Sequence, residues 1–485
     1  MTSILDRIKE LEKSSRLLEP SIEERKQTRD KVIDYTENFI NNIYNINAFN
    51  LTDNTGEGLL DTPFSEEPIE IEKAIELFKD NVDFPNLNPA SGGHLGYIPG
   101  GGIYNSALGD YLADVTNNYA GIFYAGPGAV RMENMLIRWM AKIVGFPPET
   151  VGNLASGGSI ANLIAIVTAR DAYNLTTTDI SKSVIYLSQE VHHCIDKAIR
   201  IAGLKECELN FVELDKNYRI KPQALKDTID KDKREGKKPW LIIASAGTTD
   251  FGAVDPLDEI ADIAKENNLW FHVDGAYGAF FVLSESGKPR LKGIEKADSL
   301  VMDPHKGLFL PYGLGVVLVK DKNKMNAAHY YKANYLQDAV SLEEEPSPAD
   351  LSPELTKHFR GLRLWLPLML HGVKPFRAGL EEKLQLTKYF FQELKKMDGF
   401  EMGPAPELSV ASFRYVPKTG DANKFNQLLL NEILKDGRVF LSSTNVDGKF
   451  IIRIAVLAFR THLKTIDLTL KLLKEKVQLL LKDWN

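Results

Sequence analysis

The chain has 485 residues, 44% of them apolar, and a formal net charge of −7. The length suits about three domain-sized units or one large α/β domain with appendages, and the acidic balance gives no electrostatic footing for nucleic acid or an anionic membrane surface. Two cysteines, Cys194 and Cys207, cannot staple a chain of this size, so reduced thiols in the cytoplasm are expected.

Residues 1–85 are rich in charge and helix formers and lack the apolar core of a signal peptide. No apolar run approaches the roughly 20 residues that span a bilayer. Ser21 and Glu24, following Pro20, have the spacing of a capping box and predict a helix start. We read this region as an N-terminal arm that packs on a partner, with a polar loop at 50–68. The stretch 86–102, N-L-N-P-A-S-G-G-H-L-G-Y-I-P-G-G-G, is too glycine-dense for a plain helix. A-G-I-F-Y-A-G-P (120–127) then leads to a periodic helix at 132–144.

From 152 to 319, strands at 183–187, 240–245 and 269–274 alternate with helices at 191–202 and 257–265. That alternation predicts an α/β fold with a mostly parallel, helix-covered sheet. Four stretches here carry chemistry. L-A-S-G-G-S-I-A-N (154–162) is a glycine-rich turn into a helix, where free N–H groups and the hydroxyls of Ser156 and Ser159 favour an anion. Q-E-V-H-H (189–193) offers His192 and His193 for one role after a strand. W-F-H-V-D-G-A-Y-G (270–278) is a buried strand ending at Asp274, followed by small residues that let a flat ligand approach the backbone. S-L-V-M-D-P-H-K-G (299–307) is a buried strand stopped by Pro304, with Lys306 just past its end, where α/β sheets bind ligands. Burial there is expected to lower the lysine's pKa and make it a nucleophilic amine.

Gly247-Thr248-Thr249 follows the strand at 240–245. Residues 337–353 are acidic and proline-rich with no apolar period, and read as a mobile loop. A helix restarts over 354–371. Helices at 378–396, 423–435 and 464–481 and strands at 409–415, 439–442 and 450–454 then suggest a small α+β C-terminal domain. The predicted units are 1–85, 86–374 and 375–485.

No H-E-x-x-H, C-x-x-C, G-x-S-x-G, P-loop or dinucleotide fingerprint is present, so no metal site is expected. An amine, a buried carboxylate, a phosphate cradle and an imidazole together describe pyridoxal phosphate chemistry. The ordered set S-G-G-S-I-A-N, H-V-D-G-A-Y-G and D-P-H-K, within a similarity running over 86–453, resembles the group II pyridoxal-phosphate-dependent decarboxylases on their aromatic L-amino-acid branch.

The resemblance implies fold type I, the aspartate-aminotransferase type, with a central seven-stranded sheet, and a homodimer with shared sites. It implies decarboxylation of an aromatic L-amino acid to an amine and CO2. Alternatives are aldehyde synthesis by decarboxylation with oxidative deamination, another lyase or transaminase reaction, or a non-catalytic dimeric homologue. It assigns Lys306 to the Schiff base and Asp274 to the ring nitrogen. His192 and Ala276 fall to the two ring faces, and Gly157, Gly158 and Ser159 to the phosphate. Thr249 lies near the coenzyme, and His305 helps hold the phosphate or orient the ring. The implied substrate pocket takes Tyr97 and Pro99, His94 in place of the usual aromatic residue, and Phe123 and Tyr124 reaching into a neighbouring subunit. A catalytic lid with a tyrosine near 348–349 is also implied, yet no tyrosine occurs between Gln337 and Phe359.

Overall fold

The computed structural model describes residues 3–330 and 345–484. Its central sheet has seven strands: β1 Val151–Ala155, β2 Ser183–Leu187, β3 Glu208–Phe211, β4 Lys238–Ser245, β5 Trp270–Asp274, β6 Ser299–Met302 and β7 Gly315–Val319. Their spatial order is β1-β7-β6-β5-β4-β2-β3. Every pairing is parallel except those of β7, which runs antiparallel to both β1 and β6. This is the α/β, mostly parallel sheet that the alternation of strands and helices predicts, with the seven strands that the family resemblance implies.

Except for the edge strand β3, the strands read as largely apolar runs because both faces of the sheet are covered. Alternate residues feed two cores. Tyr186, Ile242, Ala244, Phe271, Val273 and Leu300 face one side, where Leu136, Ile137 and Met140 of the helix Pro127–Val144 pack. Ile185, Leu187, Leu241, Ile243, Trp270 and Val301 face the other, under Ala161, Ile164 and Ala165 of the helix Gly158–Ala172. Each fully buried Val, Leu, Ile, Met or Phe side chain among them contributes about 1.5–3 kcal/mol. The register Ser245↔Asp274 and Asp274↔Val301 aligns the carboxyl ends of β4, β5 and β6, so the turns leaving those strands collect at one edge.

A second, antiparallel sheet has four strands, in the order Phe400–Met402, Val410–Tyr415, Lys449–Ala455, Ser442–Val446. Helices Lys374–Lys395, Ala422–Asp436 and Leu463–Lys482 close a third core on it around Phe390, Phe413, Phe425 and Ile452. At the other end of the chain the Ser21–Glu24 capping box forms as expected. The helices Ile4–Ser15 and Ile22–Asn42 bury no residue, and Ile4, Leu5, Ile8 and Leu11 lie exposed.

Several expectations are corrected. The helix expected at 132–144 begins at Pro127, a residue preorganised for a first helical position. The helix expected at 191 begins at Cys194, because the His192 ring takes the Cys194 N–H and ends the turn before it. The strand expected at 439–442 starts at Ser442. Phe440 instead exchanges backbone hydrogen bonds with Gly93 and Leu95. The helix expected over 354–371 starts at Gly361, because Lys357 and Arg360 tie the irregular segment before it to Glu133 and the Leu154 carbonyl. The loop read as mobile over 337–353 is tethered from 345 onward. Glu345 pairs with Arg138 at 2.9 Å, Ser347 Oγ accepts the Phe123 N–H at 3.0 Å, and the Pro348 carbonyl accepts Asn153 Nδ2 at 3.0 Å. The rest of that loop lies outside the described residues.

Candidate active site

A cavity of about 380 Å³ opens at the carboxyl edge of the sheet. Ser156–Ser159, His192, Thr249, Asp274, Ala276, His305 and Lys306 line it, together with Asn162, Glu190, Cys194, Asp303 and Tyr312. His193 does not line it. The nine residues expected at a coenzyme are thus brought together from five separate stretches of chain.

Asp274 ends β5 and is buried. Its Oδ1 accepts the Ala276 N–H at 3.1 Å and its Oδ2 accepts Asn162 Nδ2 at 3.2 Å. Burial raises its pKa, only partly offset by the Ala276 hydrogen bond and the Lys306 charge. Among the described residues no cation lies within ion-pair distance of it. The carboxylate therefore stands ready for a cationic ligand atom.

Lys306 follows β6 on the short turn Pro304–Gly307, with Nζ 3.0 Å from Asp303 Oδ2. Here the expectation of a lowered pKa is overturned. Burial does press it down, but the Asp303 charge and hydrogen bond and the Asp274 charge outweigh it and hold the pKa above the ordinary lysine value. Asp303 Oδ1, also buried, has no hydrogen-bond partner among the described residues. His305 Nδ1 donates to the Leu314 carbonyl at 2.6 Å, leaving Nε2 3.7 Å from Asp303 Oδ2.

The turn into the helix Gly158–Ala172 forms the opposite wall. A β-carbon on Gly158 would stand 2.9 Å from Asp303 Oδ2 and 3.2 Å from Ala276 Cβ, so only glycine lets the helix start approach this closely. Its leading N–H groups lie beside the hydroxyls of Ser156 and Ser159, a natural seat for a phosphate. His192 accepts the Cys194 N–H on Nδ1 at 3.2 Å, which puts the ring proton on Nε2. Burial and the neighbouring His193 and Lys306 charges push its pKa down to about 4, so it is neutral at physiological pH. The Thr249 carbonyl accepts Nη2 of the buried Arg453, whose Nε donates to the Asp250 carbonyl at 2.9 Å.

The five residues expected at a substrate pocket do not line this cavity within the chain. His94 is fully buried edge-on to Phe440, and burial pushes its pKa down to about 4. Pro99 and Phe123 are buried, whereas Tyr97 and Tyr124 are exposed. The glycine stretch has a different task here. A β-carbon on Gly100 would lie 2.2 Å from the His305 carbonyl oxygen, so the stretch packs directly on the Lys306 turn.

Asn162, Glu190, His272 and Asp303 escaped assignment from sequence, although each lies inside a motif that drew attention. Glu190 lines the cavity with its pKa pushed up to about 7, chiefly by burial and then by the Asp250 charge.

An unpaired buried carboxylate, a lysine amine and a helix-start anion seat around one cavity fit a ligand with a ring nitrogen, an aldehyde and a phosphate. Fold and cavity thus define a pyridoxal-phosphate enzyme. The chain belongs to the pyridoxal-dependent decarboxylase family, whose conserved domain matches residues 59–416. It is a pyridoxal-phosphate-dependent amino-acid decarboxylase. It is 35% identical to an aromatic-L-amino-acid decarboxylase of Bacillus atrophaeus, over 82% of this chain and 83% of that one. It is 28% identical to a phenylacetaldehyde synthase of Arabidopsis thaliana, over 78% and 81% of the two chains. Its fold superposes on a tryptophan decarboxylase structure from Oryza sativa, solved with pyridoxal phosphate and tryptamine. The TM-score is 0.89 at 22% identity, over 95% of this chain and 99% of that one.

Proposed function

We propose that the chain converts an aromatic L-amino acid to its amine and CO2. The observation that carries this reading is the similarity to the Bacillus aromatic decarboxylase over four-fifths of both chains, joined to a cavity with the required amine and carboxylate. When bound, the coenzyme supplies an electron sink for the pair left on Cα as CO2 departs. Lys306 would hold the coenzyme through its amine. Asp274 keeps a proton on the ring nitrogen. Gly157, Gly158 and Ser159 seat the phosphate, with His305 beside it. His192 and Ala276 would pack against the two ring faces, with Thr249 near His192. The proton returned to Cα comes from a group lining the cavity, with Lys306, Glu190 and Tyr312 available.

A second reading is aldehyde formation, in which O2 and water convert the amino acid to aldehyde, CO2, ammonia and peroxide. It is favoured by the absence of tyrosine between Gln337 and Phe359 and by the phenylacetaldehyde synthase similarity. One assay separates the two: amine, aldehyde and peroxide measured per CO2 released under air, across aromatic and acidic amino acids. Full amine stoichiometry without peroxide supports the first reading. Turnover without CO2 overturns both.

The functional form is proposed to be a homodimer. The exposed apolar face of the N-terminal helices supports this, and a solution mass of one chain would refute it. Under this reading the exposed Tyr97 and Tyr124 are available to a cavity completed by the second copy, while His94, Pro99 and Phe123 support them from within the chain. Residues 1–85, 86–374 and 375–485 then act as arm, coenzyme-binding unit and C-terminal unit. A cytoplasmic location is in keeping with both cysteines being free; no helix among the described residues is long and apolar enough to cross a membrane.

A further inference from the structure

Behind Asp274 four polar side chains are buried in an otherwise apolar layer: Asn162, Trp270, His272 and Ser299, all 2% exposed or less. Trp270, His272 and Asp274 alternate onto one face of β5. Ser299 is the residue of β6 in register with His272, and Asn162 comes one turn into the overlying helix. Trp270 Nε1 is 2.8 Å from Ser299 Oγ, which is 2.8 Å from His272 Nδ1. His272 Nε2 is 2.8 Å from Asn162 Oδ1, and Asn162 Nδ2 is 3.2 Å from Asp274 Oδ2.

Chemistry fixes the direction of each bond. An indole N–H only donates, so Ser299 Oγ accepts it and can spend its own proton on His272 Nδ1. A carboxylate only accepts, so Asn162 turns its amide N–H toward Asp274 and its oxygen toward His272. His272, neutral with burial pushing its pKa down to about 3, must then carry its proton on Nε2. The second N–H of Asn162 reaches Cys194 Sγ at 3.6 Å. Reversing the chain would point the Asn162 oxygen at the Asp274 oxygen, which an ionised carboxylate forbids. Neighbouring positions on the same face of the sheet are filled by Ile243 and Val301, so packing alone does not call for polar groups here.

We propose that Ser299, His272 and Asn162 form a one-directional hydrogen-bond relay that holds Asp274 ionised and aimed at the coenzyme's ring nitrogen. His272 and Asn162 are positioning residues. This rests on the proposed function, since it assigns the relay to the ring nitrogen.

The test uses holoenzyme reconstituted with pyridoxal phosphate labelled with 15N in the ring. The variants are His272→Phe, Asn162→Leu and His272→Gln, the last of which returns an N–H near the former Nε2. Borohydride-reducible coenzyme should remain at the parent level in all three. In the two apolar variants the 15N signal should move toward the unprotonated position at neutral pH. Their kcat should fall about 10–100-fold with KM nearly unchanged, the range that outer partners of a binding group command. His272→Gln should restore both readouts most of the way. A ring-nitrogen signal identical to the parent in both apolar variants would overturn the relay, whatever happens to activity. If those variants are insoluble, Ser299→Ala, which removes only the hydroxyl orienting His272, is read by the same signal with the same two outcomes. A parent protein that takes up no coenzyme would instead refute the proposed function itself.

Discussion

Lys306 Nζ and Asp303 Oδ2 lie 3.0 Å apart, and the Asp303 side chain is almost wholly buried. This pair, with Asp274 behind it, sets the amine's protonation before any ligand arrives. Removing the Asp303 charge should let burial dominate. In Asp303→Asn, the pH at which apoenzyme captures pyridoxal phosphate half-maximally should move to lower values, because more of the amine is neutral at a given pH. An unchanged profile, read by borohydride-trapped adduct, would show that Asp303 does not control the lysine.

Asp274→Asn should retain coenzyme but lose turnover. An amide cannot balance a protonated ring nitrogen, and breaking a buried pair costs on the order of 3–5 kcal/mol, equivalent to a loss of about 10²-fold or more. Coenzyme absorbance and CO2 release measured on the same sample check this. Turnover near the parent value would move the ring-nitrogen partner elsewhere.

His192→Ala should be far more harmful than His193→Ala, because only His192 lines the cavity. With its pKa pushed down to about 4, His192 should also contribute no step to the pH–rate profile above about pH 5. Paired turnover assays of the two variants decide it, and the reverse ranking would place the wrong ring against the coenzyme.

Glu190 should make the protein's stability fall as pH rises. Its pKa in the fold is pushed up to about 7, above the ordinary carboxyl value. The stability linked to it is complete below about pH 4 and is lost as pH rises through 7. Glu190→Gln should therefore match the parent near pH 4 and exceed it at pH 8. A gain of about 1 kcal/mol is expected once solvent screening of this partly exposed group is allowed for. Denaturant unfolding at both pH values checks it; equal stability at pH 8 would show that the ionised carboxylate is well solvated.

The edge strand Glu208–Phe211, partly exposed, carries no clear signal, whereas the strands at 183–187, 240–245, 270–274 and 299–302 were legible because they are short, apolar and largely buried, a pattern carried by local sequence. The same holds for the Ser21–Glu24 box and for Asp274 and Lys306 at strand ends. The features that stayed hidden depend on partners far along the chain. Lys357 looks like a solvated loop lysine, yet its ammonium is fully buried, 2.7 Å from Glu133 and 3.3 Å from the Leu154 carbonyl. Phe440 looks like part of a strand until Gly93 and Leu95 claim its backbone. The lysine's raised pKa needed the position of Asp303 relative to Nζ, which a three-residue spacing leaves open. Asn162 and His272 read as ordinary helix and strand residues until the register of β5 and β6 aligns them.

The glycine stretch has a consequence for how the protein is made. Gly100 leaves no room for a β-carbon against the His305 carbonyl, and the Gly101 carbonyl accepts Arg460 Nη1 at 2.8 Å from 359 positions away. Contacts closing loops of that size form late, after most of the chain has been ordered. During synthesis, then, Gly100 and the Lys306 turn can meet as the central sheet assembles, while the glycine stretch still lacks its anchor until Arg460 emerges. The stretch that covers the coenzyme lysine is thus pinned by a residue synthesised long after both of them, so the wall of the site is locked later than the site itself is formed.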